Sequence, residues 1–219
     1  MQPNDFVGRE RDHFERGDDS QDSYYKVVQK ILWQGWRDDV VLRMIVRPPF
    51  DKEYIVGVRR VGRQYRCFVI NPTSHIWSEE VKRHTAGAGK PNFSRIEGKF
   101  EETPVREDVV TRIAAIWRKG LNDPKSYLGP QQRVSAGGEE ERVIYLDSTE
   151  FYFFVGLLPK EHLTGRTVES AGRNAAPMLR VGFGLPVYVW HGTSEKAYFK
   201  TLSKAEKELG IDSRSENLR

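Results

Sequence analysis

Histidine is the side chain best suited to proton transfer near neutral pH, and the chain contains five of them. They are His13, His75, His84, His162 and His191. None stands in a His-Glu-x-x-His arrangement or beside a pair of cysteines, so the sequence predicts no zinc site. His75 and His84 flank one loop, where a carboxylate brought near by folding would give a dispersed acid–base site. A hydrolase-type enzyme that uses one of these two histidines stays open, although surface loop histidines are the simpler interpretation.

The other nucleophile and phosphate-binding motifs do not meet the requirements of their chemistry. Cys67, the only cysteine, lies within a strand-like run at 65–70, which favours a small buried core residue over a reactive thiol. No Gly-x-Ser-x-Gly turn is present to hold a hydrolase serine. The segment 87–91 has the Gly-Lys pair of a phosphate-binding loop, but His84 replaces its first glycine and Pro91 replaces the magnesium-binding Ser or Thr. We therefore expect no cofactor and no metal, and we favour a protein without catalytic function.

Arginines gather around one predicted turn, where Arg59, Arg60, Arg63 and Arg66 stand near Tyr65. A basic turn with an aromatic ring could follow a phosphate backbone, which gives weak nucleic-acid binding as a third function. The net charge of +4 is small, however, and the rest of the chain adds no further alternation of aromatic and basic residues. Arginines on a solvated turn are the preferred interpretation, and nucleic acid is not the expected partner.

Charged residues of both signs alternate with less polar ones between positions 93 and 103. Because side chains alternate across a strand, this pattern predicts a strand on which Arg95, Glu97, Lys99 and Glu101 share one exposed face. Such a row of charges could bind a complementary protein surface. It could also protect an edge strand against aggregation, which is the simpler of the two roles.

Five tryptophans are many for a chain of 219 residues. Trp33 falls beside a stripe of apolar residues at helical spacing and Trp117 falls within one, so both are expected in the core. Trp36 and Trp77 stand near the predicted ends of elements, where an amphipathic ring can help to form a pocket or an interface. Trp77 is therefore a candidate binding residue.

Hydrophobic periodicity predicts an α+β fold in which an antiparallel sheet packs against about four helices. A three-stranded meander is predicted over 39–70, because three strand-like segments are joined by short turns. Further strands are expected near 93–103 and 142–158, the latter as a hairpin of 142–146 with 151–158. Polar or irregular chain is expected after His75-Ile76-Trp77 and over 165–177. Helices are predicted at 24–32, 103–120, 178–190 with a disturbance at Pro186, and 193–210.

The ends of the chain differ in composition from its middle. Residues 1–20 contain few apolar side chains and are expected to form a mobile arm, and residues 211–219 a polar tail. Residues 21–210 are expected to form a single domain, in which 122–141 is the place where a subdomain boundary would fit. The absence of a long apolar run predicts no membrane partner. With one cysteine and no recognisable signal peptide, a cytoplasmic protein is expected, or a periplasmic one if a signal peptide has been removed.

The order of residues in the second half resembles that of uncharacterised bacterial α+β proteins. The similarity covers roughly residues 142–190 and rests on Leu146-Asp147, Tyr152-Phe153, Gly165-Arg166-Thr167, and Leu179 followed by Tyr188. Some of these proteins are immunity proteins, which neutralise the toxin of a neighbouring cell. The resemblance implies a protein partner, a toxin or another protein, and carries over no functional residue. A non-enzymatic protein-binding module is the leading interpretation.

Overall fold

The computed structural model describes residues 23–48, 50–82, 85, 87, 89–122, 149–158, 161–168, 175–191 and 195–211. The strands within these ranges form one six-stranded sheet, and every neighbouring pair is antiparallel. They are β1 (Val40–Arg47), β2 (Tyr54–Val61), β3 (Gln64–Pro72), β4 (Gly98–Val105), β5 (Glu150–Leu158) and β6 (Glu161–Val168). Their order across the sheet is β4-β3-β2-β1-β5-β6, so β4 and β6 lie at its edges.

Helices cover both faces of this sheet. They are α1 (Ser23–Ile31), α2 (Ile76–Val81), α3 (Glu107–Asn122), α4 (Ala175–His191) and α5 (Glu195–Leu209), with 3₁₀ turns at Trp33–Trp36 and Phe93–Arg95. The first core lies between the sheet and α3, α4 and α5, and the second core lies between the sheet and α1 and α2. The predicted class, α+β with an antiparallel sheet and about four long helices, is confirmed. In the part of the chain described, no helix is long and apolar enough to cross a membrane.

The meander predicted over 39–70 is confirmed as β1, β2 and β3. Because the sheet is covered on both faces, the alternating side chains of β2 are buried on either side, with Val56 and Val58 in the first core and Ile55 in the second. The turn between β2 and β3 contains Gly62 at a φ of +60°, a left-handed value that glycine adopts without steric cost. Short turns and β-branched residues thus determine this part of the fold locally.

The strand predicted over 93–103 is displaced along the chain. Its first residues form the 3₁₀ turn Phe93–Arg95, and β4 begins only at Gly98. The prediction that Thr103 and Pro104 begin a helix is also wrong, since both belong to β4 and α3 begins at Glu107. A strand can contain Pro104 here because β4 is an edge strand, where a missing backbone N–H need not break a ladder. Pairing with β3 therefore overrides the local helix-start signal.

The strand predicted at 151–158 is confirmed as β5, and it is an interior strand because it pairs with β1 on one side and β6 on the other. Its proposed hairpin partner, 142–146, lies outside the described residues. The second neighbour of β5 is β6, which was not predicted, since residues from 165 onward were expected to be irregular. β6 contains Gly165 and several polar residues, so its strand conformation depends on the ladder that β5 provides.

One predicted helix is longer than expected, and one helix was not predicted. The helix predicted over 178–190 is confirmed as part of α4, which begins three residues earlier, and Pro186 lies inside it. Apolar contacts with the sheet compensate for the missing N–H of the proline, and Leu185 beside it is fully buried. The short helix α2 was not predicted, because a polar loop was expected there.

Of the three side chains singled out as core residues, Trp117 and Cys67 are buried and Trp33 is not. Trp117 is fully buried, as predicted; its ring meets Phe153 edge-on at 5.2 Å and its indole N–H donates to the Met178 carbonyl at 3.2 Å. Cys67 is also fully buried, and burial raises the pKa of its thiol, so its expected core role is confirmed. Trp33 was expected in the core, but 56% of its surface is exposed. The helix α1 ends at Ile31, and the following 3₁₀ turn directs Trp33 away from the sheet.

Candidate protein-binding surface

An open groove lies beside the exposed Trp33. It has a volume of about 600 Å³ and runs between the end of α1, the 3₁₀ turn that follows, and the segment leading into β4. Apolar side chains of both sides contribute to its walls, and Lys30, Gln34 and Glu97 contribute polar groups. The full lining is Val27, Lys30, Ile31, Trp33, Gln34, Phe93, Ser94, Ile96, Glu97 and Gly98. We call this surface the Trp33 groove.

The amphipathic pattern of α1 explains why apolar side chains reach this groove. Tyr24, Val28 and Leu32 form the buried stripe that faces the sheet. Val27 and Ile31 lie at the margin of that stripe, so they are only partly buried and face sideways into the groove. The groove thus lies along the side of α1, where the contact between the helix and the sheet ends.

Gly98 determines how closely the two sides of the groove approach. A Cβ atom at this position would lie 2.7 Å from the Ile31 carbonyl oxygen and 3.3 Å from a methyl group of Leu32. Only glycine therefore allows the end of α1 to lie directly against the first residue of β4. The backbone of the preceding Glu97 is fixed too, since its N–H donates to the Thr73 hydroxyl at 3.1 Å and its carbonyl accepts from the Thr73 N–H at 2.9 Å.

The four residues predicted to form one charged strand face are all exposed, but they do not share a face. Arg95 belongs to the 3₁₀ turn, and Glu97 precedes β4 while lining the Trp33 groove. Only Lys99 and Glu101 lie on β4, two residues apart and therefore on the same side of the sheet. The prediction of a single face is wrong because the strand begins three residues after Arg95. The charges instead continue from the groove onto the edge strand.

The arginines around the β2–β3 turn divide into two groups. Arg59 donates from Nε and Nη2 to Glu102 at 2.7 and 3.0 Å and from Nη1 to Asp39 at 3.1 Å. Hydrogen bonds from Arg59, against the opposing effect of burial, lower the pKa of the Glu102 carboxyl. Arg60 and Arg63 are exposed at the turn, and Arg60 donates to the Gly62 carbonyl at 3.3 Å. The ion pairs of Arg59 support a structural role for this part of the arginine group.

Trp77 lies away from the Trp33 groove, in a cluster of aromatic rings around one guanidinium group. The Arg47 guanidinium lies 5.1 Å from the Trp77 ring and 4.7 Å from the Tyr24 ring, and it pairs with Glu150 at 2.8 Å. Tyr152 donates to the same carboxylate at 2.9 Å. Burial, together with the Glu150 charge, raises the pKa of Tyr152, which keeps this phenol a proton donor. This cluster joins α1 and α2 to the sheet, and no local sequence pattern predicts it because its members are far apart in the chain.

His75 does meet a carboxylate, as the dispersed-site hypothesis requires. Its Nε2 lies 3.8 Å from Oε1 of Glu53, and its Nδ1 lies 2.7 Å from the hydroxyl of Ser78. The first distance is too long for a hydrogen bond. His84, the other candidate histidine, lies outside the described residues.

Glu53 is instead engaged with the start of α2. Its carboxylate accepts hydrogen bonds from the backbone N–H groups of Ile76 and Trp77 at 2.9 and 2.8 Å and from the Tyr24 hydroxyl at 2.6 Å. Only 1% of the Glu53 surface is exposed. A carboxylate from the residue just before β2 thus caps this helix, a task usually done by the residue that precedes the helix. His75 occupies that preceding position and makes no side-chain cap.

Comparison with known proteins adds no relationship to this geometry. No protein-family model matches the chain, and neither the curated proteins nor the solved structures gave a significant match. Nor does any set of three His, Cys, Asp or Glu side chains among the described residues form an arrangement that could hold a metal ion.

Proposed function

We propose that this chain is a non-enzymatic protein-binding module and that its partner docks in the Trp33 groove. The observation that carries the proposal is the exposure of Trp33 inside an apolar groove bordered by charges. Tryptophan is among the residues that contribute most to protein interfaces, where it fills apolar contacts at the centre of a polar rim. The Trp33 ring is exposed to water in the free chain, so its burial would contribute hydrophobic free energy only when a partner binds.

The chemistry of the rim defines the kind of partner. Lys30 lies on one side of the groove and Glu97 on the other, with Arg95 exposed beside them. A partner segment with apolar anchors and flanking charges of both signs would satisfy these groups as it covers Trp33. A toxin is the partner that the resemblance to immunity proteins favours.

A pair of exposed tryptophans provides a matched test of the groove. Trp33→Ala should abolish or weaken partner binding by at least about tenfold, as truncation of a central aromatic anchor does. Trp190→Ala is the control, because Trp190 is also exposed, at 45%, but lies on α4, which contributes no residue to the groove. Both variants should keep the thermal midpoint of the parent. Equal partner binding by both variants would refute the groove as the binding surface.

The partner itself can be found by covalent capture in the native host. A photoreactive amino acid at position 33 should cross-link a discrete protein, while the same amino acid at position 190 should not. For the toxin hypothesis, the captured protein should arrest growth when expressed alone, and co-expression of this chain should restore growth. A captured protein that is harmless to cells leaves the binding module standing and removes the immunity role.

A second function is favoured by the contact between His75 and Ser78. A serine hydroxyl 2.7 Å from an imidazole nitrogen is the contact that activates a nucleophile in hydrolases. The adjoining Glu53 carboxylate is committed to three hydrogen bonds, which is why we rank this function below protein binding. Hydrolysis of activated esters that is lost in Ser78→Ala and in His75→Ala would reverse that ranking.

A further inference from the structure

The outer edge of β4 carries a charge pattern that is complementary to itself. β4 lies at the end of the sheet, and its inner neighbour β3 places Asn71 opposite Lys99 and Val69 opposite Glu101. Neither charge therefore faces an opposite charge across this ladder. Charged side chains, above all lysine, often protect an edge strand from association, and on β4 the charges are of both signs and alternate along the strand.

From this pattern we infer that β4 pairs with β4 of a second copy of the chain, antiparallel and centred on Phe100. The inference is independent of what binds in the Trp33 groove. Pairing centred on Phe100 places Lys99 opposite Glu101 of the second copy, and Glu101 opposite its Lys99. Opposite charges directly across an antiparallel pair are stabilising, and like charges are destabilising.

The pairing could also shift to a neighbouring register in which the corresponding faces of the two sheets stay on the same side. Both registers of this kind are unfavourable. Centring the pair on Lys99 would place two lysines opposite each other, and centring it on Glu101 would do the same with two glutamates. Moving the centre by one residue shifts the pairing by two residues. This is the smallest shift that leaves every side chain on its own face of the sheet, because side chains alternate with a period of two. The charges thus favour one register of the strand pair over non-specific association of edge strands.

The irregular parts of the edge fall outside the proposed overlap, which covers residues 98–102. Pro104, which has no N–H to donate, lies beyond one end, and the 3₁₀ turn Phe93–Arg95 lies beyond the other. On the opposite side of the sheet, Phe100 would meet Phe100 of the second copy. Its ring is already held in place by stacking on Phe68, with centroids 5.6 Å apart.

Such a dimer should be weak and sensitive to salt. Five paired residues bury little surface compared with a stable interface, so the dimer should form only as the concentration rises. Its two cross-strand ion pairs are exposed, so added salt should weaken it. Sedimentation of the full chain over a concentration series, repeated at low and at high salt, measures both properties.

Charge reversal tests the register directly. Lys99→Glu and Glu101→Lys should each raise the dimer dissociation constant by about tenfold or more, since each turns two attractive pairs into two repulsive ones. The double variant Lys99→Glu/Glu101→Lys should regain the parent affinity. An equimolar mixture of the two single variants should form mixed dimers, because one strand is then acidic and the other basic. Lys200→Glu, which reverses an exposed charge on α5, is the control and should behave like the parent.

Three results would overturn the inference. A parent chain that stays monomeric at every accessible concentration has no such interface. A dimer that is unaffected by either single reversal uses another surface. Single variants that lose the dimer but regain it neither in the double variant nor in the mixture have lost it for a reason other than charge pairing. Thermal midpoints equal to that of the parent show that the variants are folded, since both residues are exposed.

Discussion

Glu102 on β4 accepts two hydrogen bonds from Arg59 on β2, across the whole width of β3. The distances are 2.7 Å from Nε and 3.0 Å from Nη2, and Arg66 on β3 lies 2.7 Å from the same carboxylate. This arrangement joins the edge strand to the interior of the sheet through side chains as well as through the backbone. The two neighbouring glutamates therefore differ in role, since Glu102 forms ion pairs within the sheet while Glu101 is exposed to solvent.

We expect Glu102→Gln to lower the free energy of unfolding by about 1–2 kcal/mol, because charge-assisted hydrogen bonds are lost from a partly exposed site. The matched control is Glu101→Gln, which should change stability by less than about 0.5 kcal/mol. Urea denaturation of dilute samples at neutral pH measures both values. Equal effects at the two positions would contradict the role assigned to Glu102.

The same residue predicts a dependence of stability on pH. The pKa of Glu102 is lowered in the folded chain, so its stabilising contribution is present at neutral pH and is lost as the pH falls through the folded-state value. The parent should therefore lose stability faster than Glu102→Gln as the pH falls below about 4, near the ordinary pKa of a glutamate. If the difference in unfolding free energy between the two proteins stays constant through this range, the ion pair does not contribute.

Glu53→Gln should weaken the cap of α2, because the amide keeps only one acceptor oxygen and loses the charge, and should lower the free energy of unfolding by about 2–3 kcal/mol. The backbone amides of Ile76 and Trp77 should then exchange their hydrogens faster, since both donate to this carboxylate. Glu97→Gln serves as the control, because Glu97 is exposed. Unchanged exchange at both amides would show that the helix start does not depend on Glu53.

Cys67 should react with thiol reagents only when the chain unfolds. It is fully buried, and burial raises the pKa of the thiol, so neither access nor thiolate is available in the folded state. The labelling rate should follow the unfolding rate and increase steeply with denaturant. Rapid labelling of the native protein would contradict its position in the core.

Gly98→Ala should lower stability by about 1–3 kcal/mol, since the added methyl group meets the Ile31 carbonyl oxygen and adjacent side chains that cannot all move. The substitution should also separate α1 from β4 and weaken partner binding in the Trp33 groove. Lys99→Ala changes the neighbouring position without such a contact and is the control for stability. A Gly98→Ala protein as stable as the parent would show that the approach of α1 to β4 is loose.

The sequence by itself determined the elements whose conformation is local. The meander of β1, β2 and β3 follows from β-branched alternation and a glycine turn, and α1, α3 and α5 follow from apolar stripes at helical spacing. The burial of Cys67 and Trp117 follows from the same patterns, because a side chain at a given phase of a strand or helix must face the core.

Only the tertiary structure decided the features that depend on contacts between distant segments. β6 is a strand because β5 provides its ladder, and β4 continues through Pro104 because β3 pairs with it. Trp33 lies outside the core because α1 ends at Ile31 and a 3₁₀ turn follows, and Glu53 caps a helix more than 20 residues away. The candidate surface has the same origin: the Trp33 groove exists only where α1 meets β4. The two sides of the groove are about 60 residues apart in the chain, so no short stretch of sequence contains both. Local patterns could therefore identify the charged residues but not the groove that they border.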